Sequence, residues 1–338
     1  MDDWVSPDIA DEQGFLRAGK ILEWMDVVGV LAASRHCRND VVTVSVDGLD
    51  LSTPIGIGEH VTMKAAVAYT SPRSMGVSVL LEHSGARRDR GARQISGYMT
   101  FVALSAEGAA IPVPPFSPAT PAEQERFREG SLRREFRERL IRAEAAAFID
   151  AMQQNVRENP FLLRELLKIL PSSFRMPWEL RDPRRPRPRG CSYMHKIELV
   201  RTAKLNFHGT LYGGTLMGWM ESTANLSARA YLEGQPVRFT GLHGLNFIRP
   251  VYANLFVHIR SMVAHVVDQS ITVLVSVQAE DPVRGEFYDT VRGFLTYTPM
   301  KAIGAITRVP PLSCLGEEEE ALFNEIESRL MLQRILTG

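Results

Sequence analysis

The first hundred residues contain several segments in which hydrophobic and polar residues alternate or hydrophobic residues run together. Segments rich in β-branched residues, or alternating with period two, predict β-strands at 41–46, 61–69, 75–82 and 96–104. A glycine-containing loop and a stretch of about four helical turns with few helix breakers precede them. One long helix followed by antiparallel strands is typical of an α+β unit in which the sheet wraps around the helix.

This pattern occurs twice in the chain. The segment Trp24–Asp26 of the first copy corresponds to Trp219–Glu221 of the second, and the similarity covers most of residues 11–104 and 206–298. Strands of the second copy are predicted at 256–266, 271–280 and 290–298. A duplicated unit indicates two packed copies. Because edge strands of two such sheets can pair, we expect one continuous sheet with the two long helices side by side.

The pattern divides the chain into four parts. A proline-rich stretch starts at Ile111, and Thr120, Pro121 and Glu123 form a helix start with a capping box. The run from Arg181 to Arg189 is basic and is held extended by its prolines. We predict an N-terminal unit at 11–104, a helical and basic linker at 105–192, a C-terminal unit at 193–300 and a final helix at 313–336.

Composition excludes several classes of protein. The 338 residues carry 39 basic and 39 acidic side chains, so no global charge favours nucleic acid. The three cysteines lack the short spacings of zinc sites, and no run of apolar residues is long enough to span a bilayer. We expect a cytoplasmic protein that needs no metal and no cofactor.

The loop before the second helix carries the most specific motif. Asn206, Gly209, Gly213 and Gly214 are spaced as Asn-x-x-Gly-x-x-x-Gly-Gly, and Glu221 follows within the helix. This pattern resembles the signature of the hotdog acyl-CoA hydrolases, and the resemblance extends to both copies. With Thr-Pro-x-Glu at 120–123 and Gly-Val-Leu at 29–31, the chain is most similar to the mitochondrial acyl-CoA thioesterase 9 type. The resemblance implies a tandem hotdog fold that hydrolyses acyl-CoA, and it favours a homo-oligomer.

Thioester hydrolysis requires an activated water or a nucleophile, and a polarised carbonyl group. A helix carboxylate can act as the base, an asparagine can orient water, and the N–H groups at a helix start can receive the developing oxyanion. We expect Gly209, Gly213 and Gly214 to bind the substrate at such a helix start.

In the family that the chain resembles, the acid and the amide come from opposite units, which implies two sites. We predict a working site with Asp26 and Asn206 as catalytic residues. The other pair is Asp11 and Glu221. Because Asp11 replaces the asparagine and two facing acids repel each other, we expect this second site to be degenerate.

Other interpretations remain open. Asp26 is also consistent with a partly exposed helix residue, and Asn206 with a residue that caps a turn. A hotdog hydratase or dehydratase requires a catalytic histidine, for which His208 and His243 are the candidates. The degenerate Asp11 loop also permits an acyl-CoA-binding protein without catalysis.

Overall fold

The structure, a computed structural model, is described at residues 1–51, 53–84, 93–105, 108–135, 137–138, 186–300 and 308–313. The predicted final helix lies outside the described residues, apart from Ser313. The predicted linker helices beyond residue 138 lie outside them as well.

Two long helices form the centre of the molecule. Helix α1 spans Ala18–Cys37 and helix α2 spans Gly213–Tyr231. They occupy the same place in the two copies, 195 residues apart. Helix α1 ends at Arg38, which adopts a left-handed conformation and donates its backbone N–H to the Ser34 carbonyl.

The strands of both copies belong to one sheet. The first copy contributes β1 (Asp2–Trp4), β2 (Val41–Asp50), β3 (His60–Thr70), β4 (Met75–Ser84) and β5 (Arg93–Ala103). After the short β6 (Arg187–Pro188), the second copy contributes β7 (Met194–Leu199), β8 (Val237–Phe247), β9 (Phe256–Val267), β10 (Ser270–Asp281) and β11 (Glu286–Pro299).

The sheet has ten strands in the order β1-β3-β4-β5-β2-β8-β11-β10-β9-β7. This order is symmetric about the antiparallel pair β2–β8, where Val46 faces Leu245 and Leu49 faces Leu242. The two halves are therefore related by a pseudo-twofold axis, and α1 and α2 pack side by side against the sheet. This confirms the predicted α+β tandem hotdog architecture.

Three strands of the ten-stranded sheet were not predicted. The short edge strands β1 and β7 lie outside residues 11–104 and 206–298, over which the two copies are similar. Strand β8 contains Gly241 and Gly244, and its pairing with β11 shifts register at two places. Glycines and bulges remove the regular alternation by which a strand is recognised.

The two central helices touch backbone to backbone. A Cβ atom on Gly19 would lie 3.2 Å from the Gly218 Cα, and one on Gly214 would lie 3.0 Å from the Glu23 Cα. Glycine therefore lets the start of each helix approach the other helix closely. This contact presents the start of α2 to residues of α1, and the start of α1 to residues of α2.

The linker leaves the first unit as predicted. Glu123 Oε2 accepts the backbone N–H of Thr120 at 2.9 Å, and Thr120 Oγ1 accepts that of Glu123 at 3.3 Å. This capping box starts a helix at residues 121–135. Gly130 of this helix packs against Tyr69 and Tyr98 of the first unit.

The basic run at the other end of the linker is not uniformly solvated. Arg187 is fully buried, donates to the Tyr231 carbonyl and forms an ion pair with Glu233 at 2.7 Å. Arg187 therefore fixes the linker to the end of α2. Arg184 and Arg185 lie outside the described residues.

None of the helices in the described part of the chain is long and apolar enough to cross a membrane.

Candidate active site

Asp26 lies on α1, in contact with the start of α2. Its side chain is 1% exposed. Oδ2 accepts the backbone N–H of Gly214 at 2.7 Å, and Oδ1 accepts the Thr43 hydroxyl of β2 at 2.5 Å. The carboxyl group of one copy is thus held by the helix start of the other, and Asp26 is not an exposed helix residue.

The surroundings of Asp26 change its acidity. Burial raises the pKa of the Asp26 carboxyl above its ordinary value, while the hydrogen bonds from Thr43 and Gly214 act in the opposite direction. A carboxylate that is desolvated but still oriented by two donors has the character of a general base.

Asn206 holds its own loop together. Its Oδ1 accepts the backbone N–H groups of His208 and Thr210 at 3.0 and 3.1 Å, and also the Thr210 hydroxyl. Gly209 completes this turn with a positive φ of 69°, which favours glycine. Among the described residues no hydrogen bond joins Asn206 to Asp26. The side-chain oxygen of Asn206 therefore caps the turn, as one interpretation of the sequence expected. The side-chain amide nitrogen of Asn206 is not used in the turn.

Gly213 and Gly214 bring the start of α2 to Asp26. A Cβ atom on either glycine would lie within 3.4 Å of an Asp26 oxygen. The first N–H groups of an α-helix have no acceptor within the helix, so they are available to a neighbouring anion. In this structure the Gly214 N–H donates a hydrogen bond to the Asp26 carboxylate.

Glu221 occupies the equivalent position in α2. It is buried, and it accepts a hydrogen bond from the Gly19 backbone N–H at the start of α1. The Tyr297 hydroxyl lies 3.4 Å from Glu221 Oε1 and donates to the Glu221 carbonyl at 3.1 Å. Burial raises the pKa of Glu221 to about 7, and the charge of Asp11 contributes to the rise.

Asp11 caps its loop as Asn206 does. Its Oδ1 accepts the backbone N–H groups of Gln13 and Phe15, each at 2.9 Å. Asp11 and Glu221 line one cavity of about 460 Å³, together with residues of α2, the Asp11 loop and the start of β8. The structure thus brings the second pair together, but with two acids and no side-chain amide at the loop position.

Sequence reasoning missed the two hydroxyl groups beside the acids. Thr43 corresponds to Phe239 in the second copy, and Tyr297 corresponds to Phe101 in the first. Asp26 therefore has the Thr43 hydroxyl of β2 beside it, whereas Glu221 has the Tyr297 hydroxyl of β11. Comparing the copies position by position would have revealed this exchange, although only the fold shows that both positions face an acid.

The candidate histidines are placed differently from each other. His243 Nε2 lies 2.7 Å from the Thr296 hydroxyl. His208 belongs to the Asn206 loop, and its Nε2 is buried with no hydrogen-bond partner in the described part of the chain. Within that part, no three His, Cys, Asp or Glu side chains form a group that could hold a metal ion.

Comparison with known proteins places both copies in one family. A family model described as the thioesterase superfamily matches residues 13–88 and 208–286. The human cytosolic acyl coenzyme A thioester hydrolase is 36% identical over 131 residues, which are 37% of this chain and 34% of that protein. The chain thus spans about a third of the length of the mammalian curated relatives that it matches.

Two further comparisons cover most of the other protein. A putative oleoyl thioesterase from Lactobacillus plantarum has a similar fold, with a TM-score of 0.54 and 10% identity over 89% of this chain and 96% of that chain. An uncharacterized acyl-CoA thioester hydrolase of Bacillus subtilis is 33% identical over 123 residues, which are 35% of this chain and 69% of that protein. Since both copies match the same family model and this relative is similar over most of its length, the chain belongs to the thioesterase superfamily.

Proposed function

We propose that this protein hydrolyses acyl-CoA thioesters to a carboxylic acid and CoA at the Asp26 site. The observation that carries the proposal is the position of Asp26, buried between the Thr43 hydroxyl and the N–H of Gly214 at the start of α2. The relatives named as acyl-CoA thioester hydrolases support the same reaction.

Asp26 acts as the general base in this proposal. It removes a proton from water while the water oxygen bonds to the thioester carbonyl carbon. The tetrahedral intermediate then collapses, the carbon–sulfur bond breaks, and the proton passes to the CoA thiolate. General bases contribute roughly 10²- to 10⁴-fold to such reactions.

Asn206 and the glycines position the reacting groups. The Asn206 amide nitrogen, which its turn does not use, is a hydrogen-bond donor for the water or the thioester carbonyl. The backbone N–H of Gly213 at the positive end of α2 stabilises the developing oxyanion, while the N–H of Gly214 donates to Asp26 and orients the base. Gly209 shapes the loop that carries Asn206.

The pair Asp11 and Glu221 is the degenerate site in this account. The free oxygen of the Asp11 carboxylate accepts hydrogen bonds but cannot donate one to a thioester carbonyl. At pH 7, a pKa of about 7 also leaves about half of the Glu221 side chains protonated, so that only part of the population carries an ionised base. One working site per chain follows from these two differences.

Two other functions fit parts of the chain. A hydratase needs a histidine beside the acid, and His208 is the only one of its two candidates that lies on the Asn206 loop. A binding protein without catalysis would use the same pockets. We expect neither, and we expect acyl-CoA as the substrate, no metal or cofactor, no nucleic-acid partner and a homo-oligomer.

Release of free thiol from a panel of acyl-CoAs, followed with a thiol reagent, separates these functions. The proposal predicts thiol release that the Asp26→Asn variant loses. Addition of water to enoyl-CoA without thiol release would indicate a hydratase. Binding without any turnover would indicate an acyl-CoA-binding protein.

A further inference from the structure

Two histidines and a glutamate form a chain of hydrogen bonds across three strands of the second half. His195 Nε2 of β7 lies 3.1 Å from His258 Nδ1 of β9, and His258 Nε2 lies 2.5 Å from Glu280 Oε2 of β10. The two imidazole rings are nearly parallel, with centroids 5.2 Å apart. The edge strand β7 is therefore joined to its neighbours by side chains as well as by its backbone.

The carboxylate sets the direction of the protons in this chain. An ionised carboxylate only accepts hydrogen bonds, so His258 donates from Nε2 to Glu280, and its Nδ1 accepts from His195 Nε2. One added proton preserves the chain, because a charged His258 donates from Nδ1 to an unprotonated Nε2 of His195. A second added proton breaks it, because both facing nitrogens are then donors and both rings are positively charged.

The surroundings of His195 oppose that second proton. Partial burial of the ring and the positive charges of Arg260 and His258 lower the pKa of His195 to about 4, from an ordinary value of 6.5. The other charged or titratable groups on the strands packed around the pair are Tyr193, which is hydrogen-bonded to Arg260, Asp289 of β11, which accepts from Gln278, and Lys196 and Glu198 of β7, which pair with each other.

Strand β7 is the anchor from which the Asn206 loop starts. The next residue after β7, Val200, donates its backbone N–H to the Leu255 carbonyl at 3.0 Å and accepts that of Asn254 at 2.9 Å. A 3-10 turn at Thr202–Lys204 follows, and then Asn206. A change in how β7 is held therefore reaches the loop that carries Asn206.

The other edge of the sheet is built differently. Thr62 of β3 corresponds to His258, and its hydroxyl donates to Asp2 of β1 at 2.6 Å. Strand β1, Asp-Asp-Trp in sequence, contains no histidine. The histidine pair thus belongs to the edge that leads to Asn206, and not to the edge that leads to Asp11.

We propose that His195, His258 and Glu280 form a proton-sensitive clasp, the histidine clasp, which holds β7 and the start of the Asn206 loop on the sheet and releases them in acid. This proposal does not depend on the reaction at Asp26. Since the pKa of His195 is lower in the closed form than its ordinary 6.5, closure is complete above about pH 6.5 and weakens as the pH falls towards 4.

Hydrogen exchange of the β7 peptide at pH 7.5 and 4.5, with each rate divided by the intrinsic rate at that pH, tests the clasp. A difference of one pKa unit between the open and closed forms changes the opening constant about tenfold, and solvent screens part of the effect at the edge strand. We expect opening of β7 to rise roughly tenfold in acid, while β10 stays protected. An unchanged β7, or an equal rise in β10, would overturn the proposal.

His195→Gln removes the titrating group and keeps an N–H donor for His258. His195 is an exposed position of β7, so the substitution removes no core contact. The acid-induced rise in β7 exchange should disappear in this variant. His60→Gln is the matched control, because His60 lies against Trp4 of the other edge strand with ring centroids 5.0 Å apart. It should leave the rise in β7 unchanged, and a rise that persists in His195→Gln would contradict the clasp.

Thiol release tests the link to the Asn206 loop. His195→Gln should retain a larger fraction of its pH 7.5 rate at pH 5 than the wild type does, because Asp26 titrates in both proteins but β7 opens in one. An acid-tolerant thiol reagent measures both rates. Equal fractions would show that the histidine clasp does not act on the loop. No thiol release by either protein would contradict the proposed function, and the exchange of β7 would still decide the clasp.

Discussion

The two helix acids show how closely related residues acquire different properties. Asp26 and Glu221 are both buried and both accept an N–H group from the start of the opposite helix. The Thr43 hydroxyl donates to the Asp26 carboxylate at 2.5 Å. The Tyr297 hydroxyl lies 3.4 Å from the Glu221 carboxylate and also donates to the backbone carbonyl of Glu221 at 3.1 Å. The Asp26 carboxylate therefore has the closer hydroxyl donor of the two acids.

Thr43→Val removes one of the two donors to Asp26. Since the Thr43 hydrogen bond lowers the pKa of Asp26, its loss should raise that pKa further. The rising limb of the pH–kcat profile should then move to higher pH, with a larger deficit in acid than in alkali. A profile reduced equally at every pH would show that Thr43 does not act through the ionisation of Asp26.

Glu221 should limit stability at alkaline pH. Its pKa is about 7 in the folded chain, against an ordinary value of 4.5, so its contribution is complete below about pH 4.5 and is lost as the pH rises through 7. Glu221→Gln keeps an acceptor for the Gly19 N–H and carries no charge. At pH 8 its free energy of unfolding in urea should exceed that of the wild type by up to about 3 kcal/mol, with little difference at pH 4. A variant less stable than the wild type at pH 8 would contradict this.

At the scale of elements, the sequence predicted those helices and strands that a duplicated motif or a regular pattern of hydrophobic residues marks. Both helices and seven strands could be located, because β-branched runs and a duplicated motif mark them directly. Strand β8 was not predicted because its glycines interrupt the alternation of hydrophobic and polar residues. Strands β1 and β7 were not predicted because they are edge strands outside the detected repeat.

The candidate site was predicted less completely. The motif predicted a site at the start of α2, since a glycine pair before a helix is visible in sequence, and the repeat predicted Asp26 through its correspondence with Glu221. It could not identify Thr43 or Tyr297, because their positions beside the acids depend on how the sheet wraps around the helices. The sequence offered turn capping only as one interpretation of Asn206, and the structure shows that its side-chain oxygen caps the turn.

The contact between helix starts can be tested with two glycines of α2. A Cβ atom on Gly214 would lie 3.0 Å from both the Glu23 Cα and the Asp26 Cβ, whereas one on Gly218 would meet mainly the flexible end of the Glu23 side chain. Gly214→Ala should cost roughly 1–3 kcal/mol in unfolding free energy and reduce thiol release. Gly218→Ala should cost less, because the clash is with a movable carboxylate and alanine favours the helix. Equal stabilities would show that the close approach at Gly214 is not required.

At the scale of the whole molecule, two similar copies form one sheet but two unequal sites. The strand pair β2–β8 joins the halves. A backbone N–H group at the start of each helix donates a hydrogen bond to the acid of the other helix. Neither half therefore contains a complete site. The inequality comes from a few side chains, above all the amide of Asn206 in one loop and the carboxylate of Asp11 in the other.

The most direct test of this account compares thiol release by Asp26→Asn and Glu221→Gln. These substitutions preserve side-chain shape and remove the ionisable group from one site at a time. Asn206→Ala and Asp11→Ala form a second matched pair, because both residues cap their loops in the same way. The account predicts that kcat falls by roughly 10²- to 10⁴-fold in Asp26→Asn, falls strongly in Asn206→Ala, and stays near the wild-type value in the other two. Similar losses in Asp26→Asn and Glu221→Gln would show two working sites and contradict the account.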